Sequence, residues 1–319
     1  MGLPARSSCL FVIPLLLFSG APLSLNAARP RQSPATFRSR TDLVALDVSV
    51  EGQSGEPVPP LDASQFVVLE DNVPQDITFF APEGRLPLAV VLLVDHSQSM
   101  AGERLARAKA ATSAFLRTLE PDDRVEILAF DEEVTRLYPL GGDHAEAERS
   151  IRDLSAGRST ALYDALLVGL RDLERDARSG AGDCQHAIVV LSDGDDTKSR
   201  ETFDDVSDDA RRSRVAIDTI SLRSDDHHRS LPPAHELIQL AIDTGGEAVA
   251  VPRVSDLANV YEQISSALRQ RYRLGYVSSA AAQDGRWHQI SVRVREMNAI
   301  ARTRTGYYAP TARAPAALR

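Results

Sequence analysis

Hydrophobic positions change their spacing twice along the chain, and the first part, residues 41–85, has the spacing of β-strands. In DLVALDVSV the apolar side chains of Val44, Leu46 and their second neighbours alternate with polar ones. This is the period of a strand with one buried face. The run FVVLEDNVPQDITFF contains two further β-rich stretches around Asp71 and Asn72, which predicts a hairpin. Residues 41–85 are therefore predicted to be all-β.

From residue 86 to residue 270 continuous apolar runs replace this alternation. LPLAVVLLV and HAIVVLS have no polar face, as expected for parallel strands that are covered on both sides. Amphipathic helical patterns separate these runs, the first of them over residues 103–118. Alternation of strand and helix predicts an α/β fold with a doubly wound, mostly parallel sheet.

After residue 270 the β pattern returns in YRLGYVS, WHQISVRV and RTRTGYYA. The turn QDGR lies between the first two runs and predicts that they pair as a hairpin. Few strands are marginal alone, whereas several strands that share an apolar face are stable. We therefore expect residues 41–85 and 271–310 to form one small all-β module that flanks the α/β domain of residues 86–270.

The N-terminus has the order of a secretory signal peptide. Arg6 precedes the apolar run Cys9–Phe18, and small residues follow through SLNAA. We expect cleavage after residues 1–27, a linker over 28–40 and a tail over 311–319. The alternative is an uncleaved N-terminal anchor. Cleavage would leave no transmembrane segment and an exported protein that is periplasmic, at the cell envelope or extracellular.

Composition narrows the possible partners. The chain has 319 residues, 43% of them hydrophobic and 25% charged, with a formal net charge of −9. These values are ordinary for a globular protein, and the acidic balance without a basic stripe argues against a nucleic-acid partner. Loss of the signal peptide would remove Cys9 and leave Cys184 as a single thiol, which excludes an internal disulfide.

Polar residues follow the buried strands abruptly. VVLLVDHSQSM ends a strand with Asp95, Ser97 and Ser99, and two similar positions are Thr160, just before a helix, and Asp193, after HAIVVLS. Ligands of open α/β sheets bind at the carboxyl ends of the strands. Two carboxylates and three hydroxyls form an all-oxygen set that suits Mg²⁺, or Mn²⁺ or Ca²⁺, and the absence of an evident His or Cys cluster disfavours zinc and copper.

This arrangement resembles a von Willebrand factor type A domain with its metal ion-dependent adhesion site. The resemblance covers about residues 86–270, and the flanking β segments resemble a group of bacterial secreted proteins related to that domain. It implies five metal ligands: Asp95, Ser97, Ser99, Thr160 and Asp193. Two residues depart from the usual pattern, because His96 stands where Thr is more common and Gln98 where a small residue is.

The expected function is that of an exported, non-enzymatic module that binds a protein ligand through a divalent cation, with the ligand supplying a carboxylate to the metal. One alternative is an assembly or chaperone-like subunit of an envelope complex. A serine hydrolase is a weaker alternative, because Asp95 and Ser99 replace the two glycines of a nucleophile elbow around Ser97. Two simpler interpretations also stay open: a type A domain without an ion, and Thr160 as a helix N-cap.

Overall fold

The computed structural model describes residues 43–53, 58–82, 86–180, 184–192, 196–222, 235–251, 253–278, 284–295 and 298–311. The strands are β1 (Leu43–Gly52), β2 (Phe66–Glu70), β3 (Val73–Gln75), β4 (Ile77–Ala81), β5 (Leu88–Asp95), β6 (Arg124–Phe130), β7 (Val134–Gly141), β8 (Gln185–Ser192), β9 (Ala216–Leu222), β10 (Ala248–Val251), β11 (Arg271–Val277), β12 (Trp287–Val294), β13 (Ala299–Arg302) and β14 (Gly306–Tyr308). The helices are α1 (Glu103–Thr118), α2 (His144–Ser150), α3 (Leu162–Ser179), α4 (Phe203–Arg212), α5 (His235–Thr244) and α6 (Leu257–Arg269). Short 3-10 helices cover Ala63–Gln65, Gln98–Met100 and Val254–Asp256.

Six strands form the central sheet in the order β10-β9-β8-β5-β6-β7. Neighbouring strands are parallel throughout, except that β7 runs antiparallel to β6 at the edge. All eight residues of β5 are buried, because alternate side chains enter two different cores. The predicted α/β fold with a doubly wound, mostly parallel sheet is confirmed.

Helices cover both faces of this sheet. One core contains Leu92 of β5 with Phe115 of α1 and Tyr261 of α6, and the other contains Leu93 with Leu166 of α3 and residues of α4 and α5. The predicted first helix over residues 103–118 coincides with α1. This two-sided packing explains the uninterrupted apolar runs of the strands.

Both ends of the described chain contribute strands to a second, all-β module. Its two antiparallel four-stranded sheets have the orders β13-β1-β11-β4 and β14-β12-β2-β3. Val44, Leu46 and Val48 of β1 share a buried core with Tyr272 and Leu274 of β11 and with β2 and β12. The flanking β-module built from both segments is thus confirmed as part of the fold.

One predicted pairing is wrong. The runs on either side of QDGR become β11 and β12, and these strands lie in different sheets. β11 pairs with β1 and β4, whereas β12 pairs with β2 and β14. The reason is that each strand has both edges satisfied by strands from other parts of the chain, so the local turn signal does not decide the pairing.

Several predictions fall on residues outside the described ranges. They are the signal peptide at 1–27, the linker at 28–40, residues 312–319 of the tail and the fifth proposed ligand, Asp193. Among the helices that the structure describes, none has the length and apolar character needed to cross a membrane.

Candidate functional site

Three loops meet at the carboxyl edge of the central sheet. β8, β5 and β6 are adjacent in that order and end at Ser192, Asp95 and Phe130. Because these strands are parallel, their last residues lie at the same edge of the sheet. The loop after β5 carries Ser97 and Ser99, and it is joined to the end of β6 by a hydrogen bond of 3.1 Å from the His96 amide to the Phe130 carbonyl.

The carboxylate of Asp95 is held in a fixed orientation at the centre of this edge. The residue is fully buried, its Oδ1 accepts a hydrogen bond from the Ser97 amide at 2.8 Å, and its Oδ2 accepts one from the Ser192 hydroxyl at 2.6 Å. Ser192 was missed by the sequence analysis. Its role follows from the sheet register, which pairs Val94 with Leu191 and so brings the next residue of β8 beside Asp95.

The hydroxyls of Ser97 and Ser99 lie 3.0 Å apart, Oγ to Oγ. Ser97 is buried and Ser99 is exposed, so the pair leads from the protein interior to the solvent. The short 3-10 turn at Gln98–Met100 fixes this geometry, with the Met100 amide donating to the Ser97 carbonyl at 3.0 Å. Adjacent ligands of an octahedral Mg²⁺ with bonds of about 2.0–2.1 Å are about 3 Å apart, so the two hydroxyls suit two such positions.

The loop that carries Thr160 is tied to the serine loop by backbone hydrogen bonds. The Gly157 amide donates to the His96 carbonyl at 2.6 Å, and the Gln98 amide donates to the Arg158 carbonyl at 2.9 Å. Gly157 also lies close to the residue that follows β6, because a Cβ there would be 2.0 Å from Oδ2 of Asp131. The contacts bring the buried Thr160 to the same edge as the serines.

Thr160 does not cap the helix that follows it, so the N-cap interpretation is wrong. The N-cap of α3 is Ala161, which makes no side-chain capping bond. The cap comes instead from a distant segment: Oδ2 of Asp196 accepts from the Tyr163 amide at 3.2 Å, and Oγ of Ser199 accepts from the Asp164 amide at 3.0 Å. This role of Asp196 was not predicted from the sequence.

The segment after β8 is anchored to Thr160 as well. The amides of Thr197 and Lys198 donate to the Thr160 carbonyl at 2.9 and 3.1 Å, and the Thr160 amide donates to the Thr197 hydroxyl at 3.0 Å. Asp193 itself lies outside the described residues, but the chain on both sides of it, Ser192 and Asp196, is fixed at this edge. Four of the five predicted ligands are therefore described. Asp95 ends β5, Ser97 and Ser99 follow it, and Thr160 lies in the loop between α2 and α3, which hydrogen bonds join to the serine loop.

The environment of His96 bears on the hydrolase alternative. Its Nδ1 lies 2.8 Å from the Ser155 carbonyl, and its Nε2 lies 3.9 Å from Oδ1 of Asp131. Within the described part of the chain, the hydrogen bond of Ser97 Oγ is to Ser99 Oγ, and no imidazole is bonded to it. The geometry thus presents Ser97 as an oxygen donor next to a second hydroxyl rather than as the partner of a general base.

Two clusters that contain histidine occur away from this edge, which corrects the expectation that none converges. In the β-module, His288 Nδ1 lies 2.8 Å from Asp71 Oδ2 and 3.5 Å from the buried Glu70. Burial opposes the imidazolium, but the hydrogen bonds that its ring nitrogens donate to the carboxylates of Asp71 and Asp284 outweigh this effect and raise the pKa of His288. The second cluster is Asp176, Cys184 and His186. The guanidinium of Arg124 already donates hydrogen bonds to Asp176 and Cys184 and supplies a positive charge there.

Comparison with known proteins finds a family match within the α/β part. Residues 90–195 match the family model of the von Willebrand factor type A domain. Human inter-alpha-trypsin inhibitor heavy chain H4 is 26% identical over 224 residues, 65% of this chain and 23% of that protein. Human voltage-dependent calcium channel subunit alpha-2/delta-3 is 34% identical over 119 residues, 34% of this chain and 11% of that protein.

A solved structure extends the likeness beyond the matched segment. The von Willebrand factor type A structure from Catenulispora acidiphila has a TM-score of 0.51 at 13% identity, covering 80% of this chain and 76% of that chain. At this identity the likeness bears on the fold alone. The chain spans about a quarter, or less, of the length of the two human relatives.

Proposed function

We propose that this chain, which contains a von Willebrand factor type A domain at residues 90–195, is an exported, non-enzymatic protein that binds a protein partner through a divalent cation. The cation is Mg²⁺, with Mn²⁺ or Ca²⁺ as substitutes. Its ligands are the hydroxyls of Ser97, Ser99 and Thr160 and the carboxylates of Asp95 and Asp193, directly or through water.

One observation carries the proposal: two hydroxyls 3.0 Å apart follow a fully buried carboxylate at the carboxyl edge of a parallel sheet. All of these donors are hard oxygens, which suit Mg²⁺. The fixed orientation of Asp95 supports preorganisation, because its two oxygens already accept hydrogen bonds from Ser97 and Ser192.

The different exposure of Ser97 and Ser99 supports the proposal that the site binds a partner. Ser99 is exposed while Ser97 is buried, so a cation held by both would keep one side toward the solvent. A cation that keeps an open position accepts a carboxylate from another protein. The chain's own residues then orient the cation and leave that position for an Asp or Glu of the partner.

The names of the two human relatives, an inhibitor heavy chain and a channel subunit, are consistent with a role in protein association. The word subunit in the second name also favours the alternative that this chain is an assembly subunit of an envelope complex. The hydrolase alternative is disfavoured by the hydroxyl partner of Ser97 Oγ described above.

The proposal is tested by calorimetric titration of Mg²⁺ into the full chain and two sets of variants. Asp193→Ala and Ser97→Ala are expected to abolish or strongly weaken Mg²⁺ binding while the circular dichroism spectrum stays unchanged. Ser155→Ala is the matched control, because Ser155 is exposed in the neighbouring loop and contributes only its carbonyl. Equal Mg²⁺ affinity in wild type and Asp193→Ala would refute the ligand assignment, and labelling of Ser97 by an active-site serine probe would favour the hydrolase.

A further inference from the structure

A cleft at the opposite end of the central sheet from the proposed cation site is lined by many arginines, although the protein as a whole is acidic. The cleft has a volume of about 470 Å³ and lies at the amino ends of β8 and β9, where the β-module meets the α/β domain. Its lining includes seven arginines and three acidic residues. The arginines are Arg178, Arg211, Arg212, Arg214, Arg271, Arg273 and Arg304.

The three acids are already neutralised by arginines of the same lining. Asp47 pairs with Arg273 at 3.0 Å, Asp243 pairs with Arg211 at 2.8 Å, and Glu174 pairs with Arg178 at 3.3 Å. Four guanidinium groups remain in excess. One of them, Arg212, packs over the ring of Tyr308 at 4.5 Å.

The other three are Arg214, Arg271 and Arg304, and within the described ranges none has a carboxylate at ion-pair distance. The Nε atoms of Arg271 and Arg304 are buried, and among the described residues no acceptor is hydrogen-bonded to them. Burial and the like charge of Arg214 lower the pKa of Arg304 to about 10. The buried carboxylate of Asp218 attracts the charge of Arg271, but it does not accept a hydrogen bond from that Nε. A buried donor without an acceptor is costly, and so is a cation repelled by a like charge, so the donors of the cleft are only partly satisfied.

Some of these arginines also have a packing role. Arg304 donates from Nη2 to the Ala45 carbonyl at 3.0 Å and lies over the ring of Tyr307, and Arg211 lies over Trp287. Packing alone does not explain the excess of arginines over acidic residues, because neutral side chains would fill the same space without mutual repulsion. An oxyanion would satisfy both the open Nε donors and the charge, since the planar guanidinium fork matches carboxylate and phosphate oxygens.

We infer that this cleft is a binding site for a small, multiply charged oxyanion that bears phosphate or carboxylate groups. Its volume falls in the range of small-molecule sites, about 300–1,000 Å³. Arg214, Arg271 and Arg304 bind the anion. The ion pairs Asp47–Arg273 and Asp243–Arg211 fix the position of the residues around it. The anion would bridge the β-module and the α/β domain.

This inference is tested by titration calorimetry of the full chain with pyrophosphate and with citrate. Both titrations are made without divalent cations and at a constant ionic strength set with chloride. Saturable binding of at least one anion is expected. Stronger binding of pyrophosphate would identify a phosphate ligand, and stronger binding of citrate a carboxylate ligand.

Charge-removing variants identify the site. Arg214→Gln and Arg304→Gln are each expected to weaken binding at least tenfold, whereas Arg107→Gln, on the exposed face of α1, is expected to bind like wild type. Arg214 is exposed, so its variant keeps the test valid even if Arg304→Gln does not fold. The inference is overturned if neither anion binds saturably, or if Arg214→Gln binds as tightly as Arg107→Gln.

Discussion

A single methyl group added at Gly157 is expected to disturb the cation site without changing any proposed ligand. In Gly157→Ala the new Cβ would lie 2.0 Å from Oδ2 and 2.6 Å from Cγ of Asp131. Side-chain contacts essentially never fall below 3.0 Å, so the loop or Asp131 must move by about 1 Å. Overpacking of this kind costs about 1–3 kcal/mol of stability, which lowers Tm by a few degrees in a chain of this size.

The Cβ of Asp131 would also lie only 2.7 Å away, so rotation of its carboxylate alone does not relieve the contact and the loop is expected to move. That displacement would reach the proposed cation site, because Gly157 and Thr160 belong to one short loop. Mg²⁺ requires near-ideal octahedral geometry, so a shift of about 1 Å in the Thr160 hydroxyl is expected to weaken binding at least tenfold, about 1.4 kcal/mol. Calorimetric titration of Mg²⁺ and thermal unfolding followed by circular dichroism measure the two effects. Gly142→Ala is the matched control, since its nearest contact would be 3.7 Å away. Wild-type Tm and Mg²⁺ affinity in Gly157→Ala would refute the reasoning.

Two further predictions concern the β-module. The pKa of His288 is raised in the folded state, so its contribution to stability is present below the unfolded value of about 6.5 and is lost as pH rises through the folded value. Thermal unfolding between pH 5 and 9 is expected to show this loss in wild type and a flatter profile in His288→Gln; parallel profiles would contradict it. Deletion of residues 271–319 removes β11 from between β1 and β4 and is expected to make residues 41–85 sensitive to limited proteolysis, while unchanged protection there would mean that these strands fold alone.

The sequence predicted those parts of the fold in which neighbouring residues carry the signal. The uninterrupted apolar run of β5 indicated a strand buried on both faces, and the two cores confirm it. The hairpin at Asp71 and Asn72 was equally local, because both residues have positive φ, 49° and 66°, which Asp and Asn tolerate. The turn QDGR carried a similar signal but failed, because β11 and β12 each pair with strands from the other end of the chain.

The residues of the candidate site also differ in whether neighbouring sequence reveals them. Asp95, Ser97 and Ser99 lie within five residues of one another, so their convergence was visible in the sequence. Ser192 was not, because its hydrogen bond to Asp95 depends on the register between β5 and β8. Alternation of apolar and polar residues can specify the register of a strand, but β5 and β8 are buried on both faces and lack that alternation.

The cap of α3 explains how a cation site can adjoin a helix N-terminus. The free amides of such a terminus carry a partial positive charge, which disfavours a cation within the first turn. In this chain the carboxylate of Asp196 and the hydroxyl of Ser199 bind those amides, and Oδ1 of Asp164 in turn accepts from the Arg200 amide at 3.1 Å. If Thr160 capped the helix itself, its hydroxyl would be occupied by an amide and would be a poorer ligand. The distant cap therefore neutralises the helix end and keeps the Thr160 hydroxyl out of that role, and both effects favour cation binding at this edge.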